Sequence, residues 1–153
     1  MIVADVTTLV ALSLMRKADL LTKLLGKVTA TDSVMRELKA VLAALDPECP
    51  VPGADVVEVT SVDMSGGVLS VAESETLAAA QETKAKLVLS DDAVVRSEAR
   101  AGHMGAMGTL GVLYAAKMRG LLADVDEPLA RLRECGYAVS QRCEKALRER
   151  VKG

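Results

Sequence analysis

The stretch Lys86-Leu-Val-Leu-Ser-Asp-Asp92 decides the fold class of this chain. Its short, mostly apolar run is typical of a strand that is buried on both faces of a parallel sheet. Two carboxylates, Asp91 and Asp92, follow at the carboxyl end of that strand, and ligands bind at this edge of open α/β sheets. A helical pattern starts directly afterwards, so either aspartate also fits a helix N-cap.

Three further acids occupy equally particular positions. Ile2-Val-Ala-Asp5 predicts another short buried strand that ends in an acid. Glu73 falls in the first turn of an alanine-rich helix, where a carboxylate also stabilises the helix dipole by about 0.3–1 kcal/mol. Glu37 lies beside the apolar stripe of its helix rather than opposite it, which turns its side chain partly toward the core.

Strands and helices alternate along the rest of the chain. Further strands are predicted at residues 28–30, at 56–60 and briefly within 103–108. Helices are predicted at 9–15 (capped by Thr7 or Thr8), 18–25 (stopped by Gly26), 34–42 (capped by Thr31, Asp32 or Ser33), 70–83, 93–101, 109–119, 127–135 and 140–151. Residues 64–68 predict a flexible loop. This order indicates an α/β/α sandwich with a central, mainly parallel sheet of four to five strands.

Length and composition limit the function classes. The 153 residues suit a single domain over residues 1–153, and half of them are apolar, which excludes a disordered chain. Trp and Phe are absent, and Tyr114 and Tyr137 are the only aromatic residues of the Phe, Trp and Tyr class. An aromatic platform for single-stranded nucleic acid is therefore excluded. The formal net charge of −2 excludes attraction of nucleic acid by the molecule as a whole.

Cysteine and histidine content argues against zinc and for a reducing compartment. Cys49, Cys135 and Cys143 are odd in number and lack CxxC spacing, and His103 is the only histidine. No apolar run reaches the length of a membrane span, and the N-terminus lacks the features of a signal peptide. We expect a cytoplasmic protein with no membrane association.

Taken as a set, Asp5, Glu37, Glu73 and Asp91 (or Asp92) indicate a metal site. In a doubly wound fold, these positions converge on one end of the sheet. Carboxylates that come together repel each other, and unpaired buried charges are very costly. Mg²⁺ or Mn²⁺ is the natural counterion because it prefers oxygen ligands, and such an ion activates water for phosphodiester cleavage. Taken singly, each acid fits a helix cap or a solvated charge better.

The glycine-rich segment of residues 102–111 allows a different interpretation, a small-molecule phosphate site. It contains no Gly-Lys-Thr and does not match GxGxxG, so both the P-loop and the dinucleotide fingerprint are excluded. Tight turns and close helix–strand packing explain its glycines better. Thr109 is expected to cap the following helix. His103 follows a predicted helix C-terminus, which it can stabilise.

A family resemblance runs over nearly the whole chain, from Ile2 to about Leu147. Its carriers are Val3-Ala-Asp5 with Thr7-Thr8-Leu9, Val34-Met-Arg-Glu37-Leu38, Leu69-Ser-Val-Ala-Glu73-Ser-Glu75-Thr-Leu77-Ala78, Leu87-Val-Leu-Ser-Asp91-Asp92 with Arg96 and Ala99, and Gly102 followed by Gly108-Thr-Leu-Gly-Val-Leu113, Ala116-Lys117 and Gly120-Leu121-Leu122. On these residues the chain resembles PIN-domain proteins, and in particular the DUF3368 subgroup of PIN-like nucleases.

The resemblance implies an α/β/α sandwich with an acidic pocket. It implies a Mg²⁺- or Mn²⁺-dependent ribonuclease that acts on RNA, and many such proteins are dimeric toxins that pair with a small antitoxin protein. By position, Asp5, Glu37, Glu73 and Asp91 or Asp92 would bind the metal, and the Thr7 hydroxyl would support the site. The alternative is a catalytically silent PIN-like module that binds RNA or a protein partner.

Overall fold

The computed structural model describes residues 1–60, 62, 67–137 and 139–152. Over these ranges the chain forms five strands and eight helices. The strands are β1 (Ile2–Ala4), β2 (Thr29–Thr31), β3 (Asp55–Val57), β4 (Leu87–Leu89) and β5 (Gly105–Met107). The helices are α1 (Val6–Leu14), α2 (Asp19–Leu25), α3 (Asp32–Leu45), α4 (Val71–Glu82), α5 (Ala93–Ala101), α6 (Thr109–Met118), α7 (Asp126–Glu134) and α8 (Gln141–Lys152). The predicted order of strands and helices is confirmed.

The five strands form one parallel sheet in the order β3-β2-β1-β4-β5. Val3 of the central strand pairs with Thr29 of β2 on one side and with Val88 of β4 on the other. Because every strand runs in the same direction, all their carboxyl ends lie along one edge of the sheet. Residues that follow the strands are therefore brought together at this edge.

Alternation along the strands divides the core into two layers. Ala4 and Leu89 face the larger apolar cluster, to which α1, α3 and α6 contribute. Val3 and Val88 face the opposite way, into a second cluster built with α4 and α5. Successive strand residues point to opposite faces, and each face here is covered by helices. The fold is therefore the expected PIN-like α/β/α sandwich.

Two predicted helix caps are wrong. We expected Thr7 or Thr8 to cap α1, but the cap is Asp5, because the helix begins directly after the strand. We expected Thr109 to cap α6, but Gly108 occupies the N-cap position and Thr109 is the first helical residue. The choice left open for α3 falls on Thr31.

The remaining boundaries agree with prediction to within a few residues. Gly26 ends α2 in the left-handed region, with φ of +79°. β3 ends at Val57, three residues earlier than expected. Of the loop predicted at residues 64–68, residues 64–66 lie outside the described ranges. Within those ranges, no helix is both long and apolar enough to cross a membrane.

Candidate functional site

Asp5 is the central acid of the carboxyl edge. It follows β1 directly, is 0% exposed, and its backbone N–H donates to the carbonyl of Leu89 at 2.7 Å. One carboxylate oxygen accepts the N–H of Val6 at 2.8 Å, which caps α1, and the other accepts the hydroxyl of Ser90 at 2.8 Å. Backbone pairing and two hydrogen bonds therefore fix this carboxylate between β1 and β4.

Electrostatics at Asp5 are unfavourable for its charge. Burial raises the pKa of Asp5 above its ordinary value, and hydrogen bonds from Ser90 and Val6 oppose that change. The negative charges of Glu73 and then Glu37 raise the pKa further. The charges of Glu73 and Glu37 therefore act on Asp5, and their convergence on one metal site stays a prediction.

Ser90 links two of the candidate acids. Its buried hydroxyl donates to Asp5 and accepts the backbone N–H of Asp92 at 3.0 Å. This role of Ser90 was not predicted from the sequence. The available signal was a hydroxyl at the carboxyl end of a buried strand, directly before the acids.

Asp91 holds the start of α6. Its two carboxylate oxygens accept the backbone N–H and the hydroxyl of Thr109, both at 2.6 Å. Its own N–H donates to the Thr7 hydroxyl at 2.9 Å, which gives Thr7 a supporting contact. A Cβ on Gly108 would lie 2.7 Å from the Asp91 carboxylate, so this position requires glycine.

Asp92 has a different task from its neighbour. It is the N-cap of α5, and one carboxylate oxygen accepts the N–H groups of Val94 and Val95 at 2.8 and 3.0 Å. Of the two aspartates between which the sequence did not decide, Asp91 lines a pocket and Asp92 caps a helix.

Glu73 and Glu37 lie on helices beside the sheet. Glu73 forms a capping box with Ser70, in which each side chain bonds the other residue's backbone N–H, at 2.9 and 3.1 Å. Glu37 is exposed on α3, so the expectation that its side chain turns partly toward the core is wrong, because Val34, Met35 and Leu38 form the buried face of this helix. The negative charges of Glu73 and Glu37 act on the pKa of Asp5, although within the described ranges the three side chains do not form one cluster.

None of the five candidate acids has an ion-pair partner within the described ranges. All ion pairs in the described ranges form elsewhere, and none involves Asp5, Glu37, Glu73, Asp91 or Asp92. In the same ranges, no three Asp, Glu, His or Cys side chains are close enough to hold one ion together. Mg²⁺ usually keeps several waters and uses only one or two carboxylates, so this donor set fits such an ion.

Comparison with known families agrees with this arrangement. The family model described as "DUF3368: PIN domain" matches residues 1–152. The chain belongs to this PIN-domain family. PIN domains are generally nucleases and typically use divalent metals. Searches of curated proteins and of solved structures found no match.

A pocket of about 390 Å³ opens beside the carboxyl edge of this PIN domain. It lies between the start of α6 and the segment that joins α7 to α8. Its lining includes Asp91, Arg96, Tyr137, Ser140 and Cys143. The pocket therefore shares one of its walls with a candidate acid.

Arg96 and Tyr137 are held in place at this pocket of the PIN domain. The Arg96 guanidinium donates to the carbonyl of Ser90 at 3.1 Å, and the Tyr137 hydroxyl donates to the carbonyl of Thr7 at 3.4 Å. Burial, and then the charges of Asp91 and Asp5, raises the pKa of Tyr137 to about 12. Its hydroxyl is therefore protonated at neutral pH and remains a donor.

A buried ion pair fastens α8 of the PIN domain behind this pocket. Glu144 is 1% exposed, and its carboxylate lies 2.6 Å from the guanidinium of Arg133 on α7 and 3.8 Å from that of Arg148. On the other side of α8, the guanidinium of Arg150 lies 4.1 Å from the centre of the Tyr114 ring. These contacts position α8, which follows the pocket-lining residues Tyr137, Val139 and Ser140 and carries Cys143.

Proposed function

We propose that this PIN domain is a Mg²⁺- or Mn²⁺-dependent endoribonuclease. The observation that carries the proposal is Asp5, a fully buried carboxylate with acidic neighbours and no basic partner within the described ranges. An ionised carboxylate in this position raises the free energy of the protein unless a proton or a cation neutralises it. Membership of a family whose members are generally nucleases supports the same assignment.

Each acid has a proposed role. Asp5, Glu73 and Asp91 would hold the cation in part through bound waters, since the described side chains are not close enough for three of them to ligate one ion directly. Glu37 would bind a second ion or orient the attacking water, and Asp92 is a further candidate ligand. Bound metal would supply an activated water and a positive charge beside the leaving oxygen. Ser90 and Thr109 hold the Asp5 and Asp91 carboxylates in fixed positions. Hydrolysis of the P–O3′ bond would leave a 5′-phosphate and a 3′-hydroxyl.

The wider setting is also part of the proposal. A toxin role with a small antitoxin partner, and a homodimer, follow from the family resemblance. The cysteines of the chain are free thiols, and Cys143 is exposed, which supports a reducing compartment and hence the cytoplasm.

The test combines cleavage with metal binding. Asp5→Asn and Asp91→Asn should each abolish RNA cleavage in Mn²⁺, and the double variant should also lose the Mn²⁺ heat measured by titration calorimetry. Asp19→Asn is the matched control, since Asp19 is exposed and pairs only with Lys23. Retained cleavage by Asp5→Asn, with the fold intact by circular dichroism, would refute the assignment.

A second candidate is a catalytically silent module that binds RNA or a protein partner. It is favoured by the fact that Asp91 directs both of its oxygens at Thr109, and Asp92 caps a helix. A silent module would bind RNA equally well in EDTA and in Mn²⁺, and would leave the RNA uncut. An enzyme would cut the RNA in Mn²⁺ and not in EDTA.

A further inference from the structure

The pocket beside Asp91 differs in chemistry from the acids that adjoin it. Apolar side chains make up much of its lining, among them Leu110, Leu132 and Val139. Its volume of about 390 Å³ falls in the range of small-ligand sites. A flat organic group, rather than a second metal ion, suits such a lining.

Tyr137 gives this pocket an aromatic wall. The ring is half-buried and packs against the larger apolar cluster, which holds it at the pocket, while its hydroxyl makes only a long contact of 3.4 Å to the Thr7 carbonyl. Stacking of a nucleobase on an aromatic side chain stabilises single-stranded complexes. One ring serves one base, which is compatible with a composition too poor in aromatic residues for an extended platform.

Arg96 gives the same pocket a positive charge. It is the only basic residue among the described lining residues, and only one of its N–H groups is used, on the Ser90 carbonyl. A guanidinium with free donors is suited to phosphate, which it can bind through two parallel hydrogen bonds. Because the Asp91 carboxylate also lines the pocket, a bound phosphate would have to lie on the Arg96 side.

We infer that this pocket is a nucleotide subsite of the RNA-binding surface, which takes one base against the Tyr137 ring and an adjoining phosphate on Arg96. The inference rests on the proposed function for the identity of the ligand as RNA. Because Asp91 lines both the pocket and the acidic edge, a nucleotide bound here lies next to the phosphate to be cut. The subsite would then determine where along the RNA the chain cleaves.

Cys143 supplies a direct probe, because it is exposed and lines the pocket. We would measure its alkylation by iodoacetamide, with peptide mass spectrometry to separate it from Cys49 and Cys135, in EDTA and with increasing AMP, GMP, CMP or UMP. At least one nucleotide should slow the reaction in a saturable way. Ribose 5-phosphate and inorganic phosphate, which lack the base, should protect much less.

Variants connect the protection to the two residues. Tyr137→Leu and Arg96→Gln should each weaken the protecting affinity by about tenfold (~1.4 kcal/mol). Tyr137→Phe keeps the ring, so a nucleotide should protect Cys143 from alkylation in this variant as well as it does in wild type. Arg100→Gln, an exposed arginine one turn further along α5, should also leave protection unchanged.

The outcomes separate this inference from the nuclease assignment. Protection in EDTA that depends on Tyr137 and Arg96 supports the subsite, even if no RNA is cut. No protection by any nucleotide at millimolar concentration overturns it, even if the wild type cleaves RNA. Equal protection by inorganic phosphate and by nucleotides also overturns it, because the pocket would then be a simple anion site.

Discussion

The carboxylate of Asp91, which follows β4, accepts hydrogen bonds from the first residue of α6. It accepts both the backbone N–H and the hydroxyl of Thr109, although the two residues are separated by α5 and β5. Gly108, at the N-cap position itself, has no side chain to perform this task. One carboxylate therefore fastens β4 to α6 and is at the same time a candidate metal ligand.

This cross-strand cap predicts a severe effect of a small substitution. Gly108→Ala should destabilise the protein by about 1–3 kcal/mol, because the new Cβ would lie 2.7 Å from the Asp91 carboxylate. Urea unfolding measures the change. Gly53→Ala is the control, since a Cβ at that position meets no atom within 4 Å. Equal stability of the two variants would contradict the proposed contact.

Asp5→Asn should stabilise the metal-free protein at neutral pH. The pKa of Asp5 is raised in the folded state above its value of 3.8 in the unfolded chain, so ionisation of this residue favours unfolding. The destabilisation of wild type is absent below pH 3.8 and grows as pH rises through the raised pKa. The amide retains partners in Val6 and Ser90.

Unfolding in urea between pH 4 and pH 8, with EDTA present, measures this difference. The excess of the free energy of unfolding of Asp5→Asn over that of wild type should be largest at pH 8 and should disappear toward pH 4. A difference in the free energy of unfolding that does not change with pH, or a variant that is less stable than wild type at pH 8, would show that the protein compensates the charge of Asp5.

Divalent metal should stabilise wild type but not a variant that lacks the Asp5 and Asp91 charges. A cation that binds the folded state alone stabilises it in proportion to the logarithm of its concentration. Mn²⁺ should therefore raise the melting temperature of wild type, and leave that of the Asp5→Asn/Asp91→Asn variant unchanged. Asp19→Asn should respond like wild type. Equal shifts in all three proteins would place the bound Mn²⁺ elsewhere.

Ser90→Ala should weaken the carboxyl edge. It removes the hydroxyl that donates to the buried Asp5 carboxylate, a charge-assisted bond whose loss costs about 1.5–3 kcal/mol. The same loss should raise the pKa of Asp5 further, which NMR titration of the carboxyl carbon detects. Ser97→Ala, exposed on α5, is the matched control. An unchanged Asp5 titration would show that Ser90 does not stabilise the charge.

Glu144→Ala should loosen α8. The variant loses a buried carboxylate that pairs with Arg133, and we expect a cost of about 2 kcal/mol. Hydrogen exchange should become faster in α8 and remain slow in the central strands. Glu149→Ala, an exposed position of the same helix, should show neither change. Unaltered exchange in Glu144→Ala would mean that apolar contacts alone hold the helix.

Local patterns were enough to predict the sheet and the position of its acids. Short apolar runs that end in Asp5 or Asp91 identify parallel strands, and Gly26 ends a helix by its own backbone preference. Such signals depend on neighbours in sequence. They predicted that Asp5 and Asp91 follow their strands, whereas convergence of Glu73 and Glu37 on the same metal site stays a prediction.

Contacts between distant residues were not predictable in this way. Asp92 caps α5, whereas Asp91 accepts two hydrogen bonds from Thr109, which lies beyond another strand, so no local pattern distinguishes the two aspartates. The role of Ser90 depends on pairing of β1 with β4. The pocket brings Arg96 together with Tyr137, and no sequence pattern connects residues so far apart.

The pocket-lining residues Tyr137, Val139, Ser140 and Cys143 come late in the chain, after all five strands of the described ranges and after all five candidate acids. Chains are synthesised from the N-terminus, and folding begins before synthesis ends. On the ribosome, the sheet with its carboxylates is therefore available before Tyr137 and the helix that Glu144 fastens. The pocket can therefore form only after α8 has been synthesised, which is later than the synthesis of the sheet.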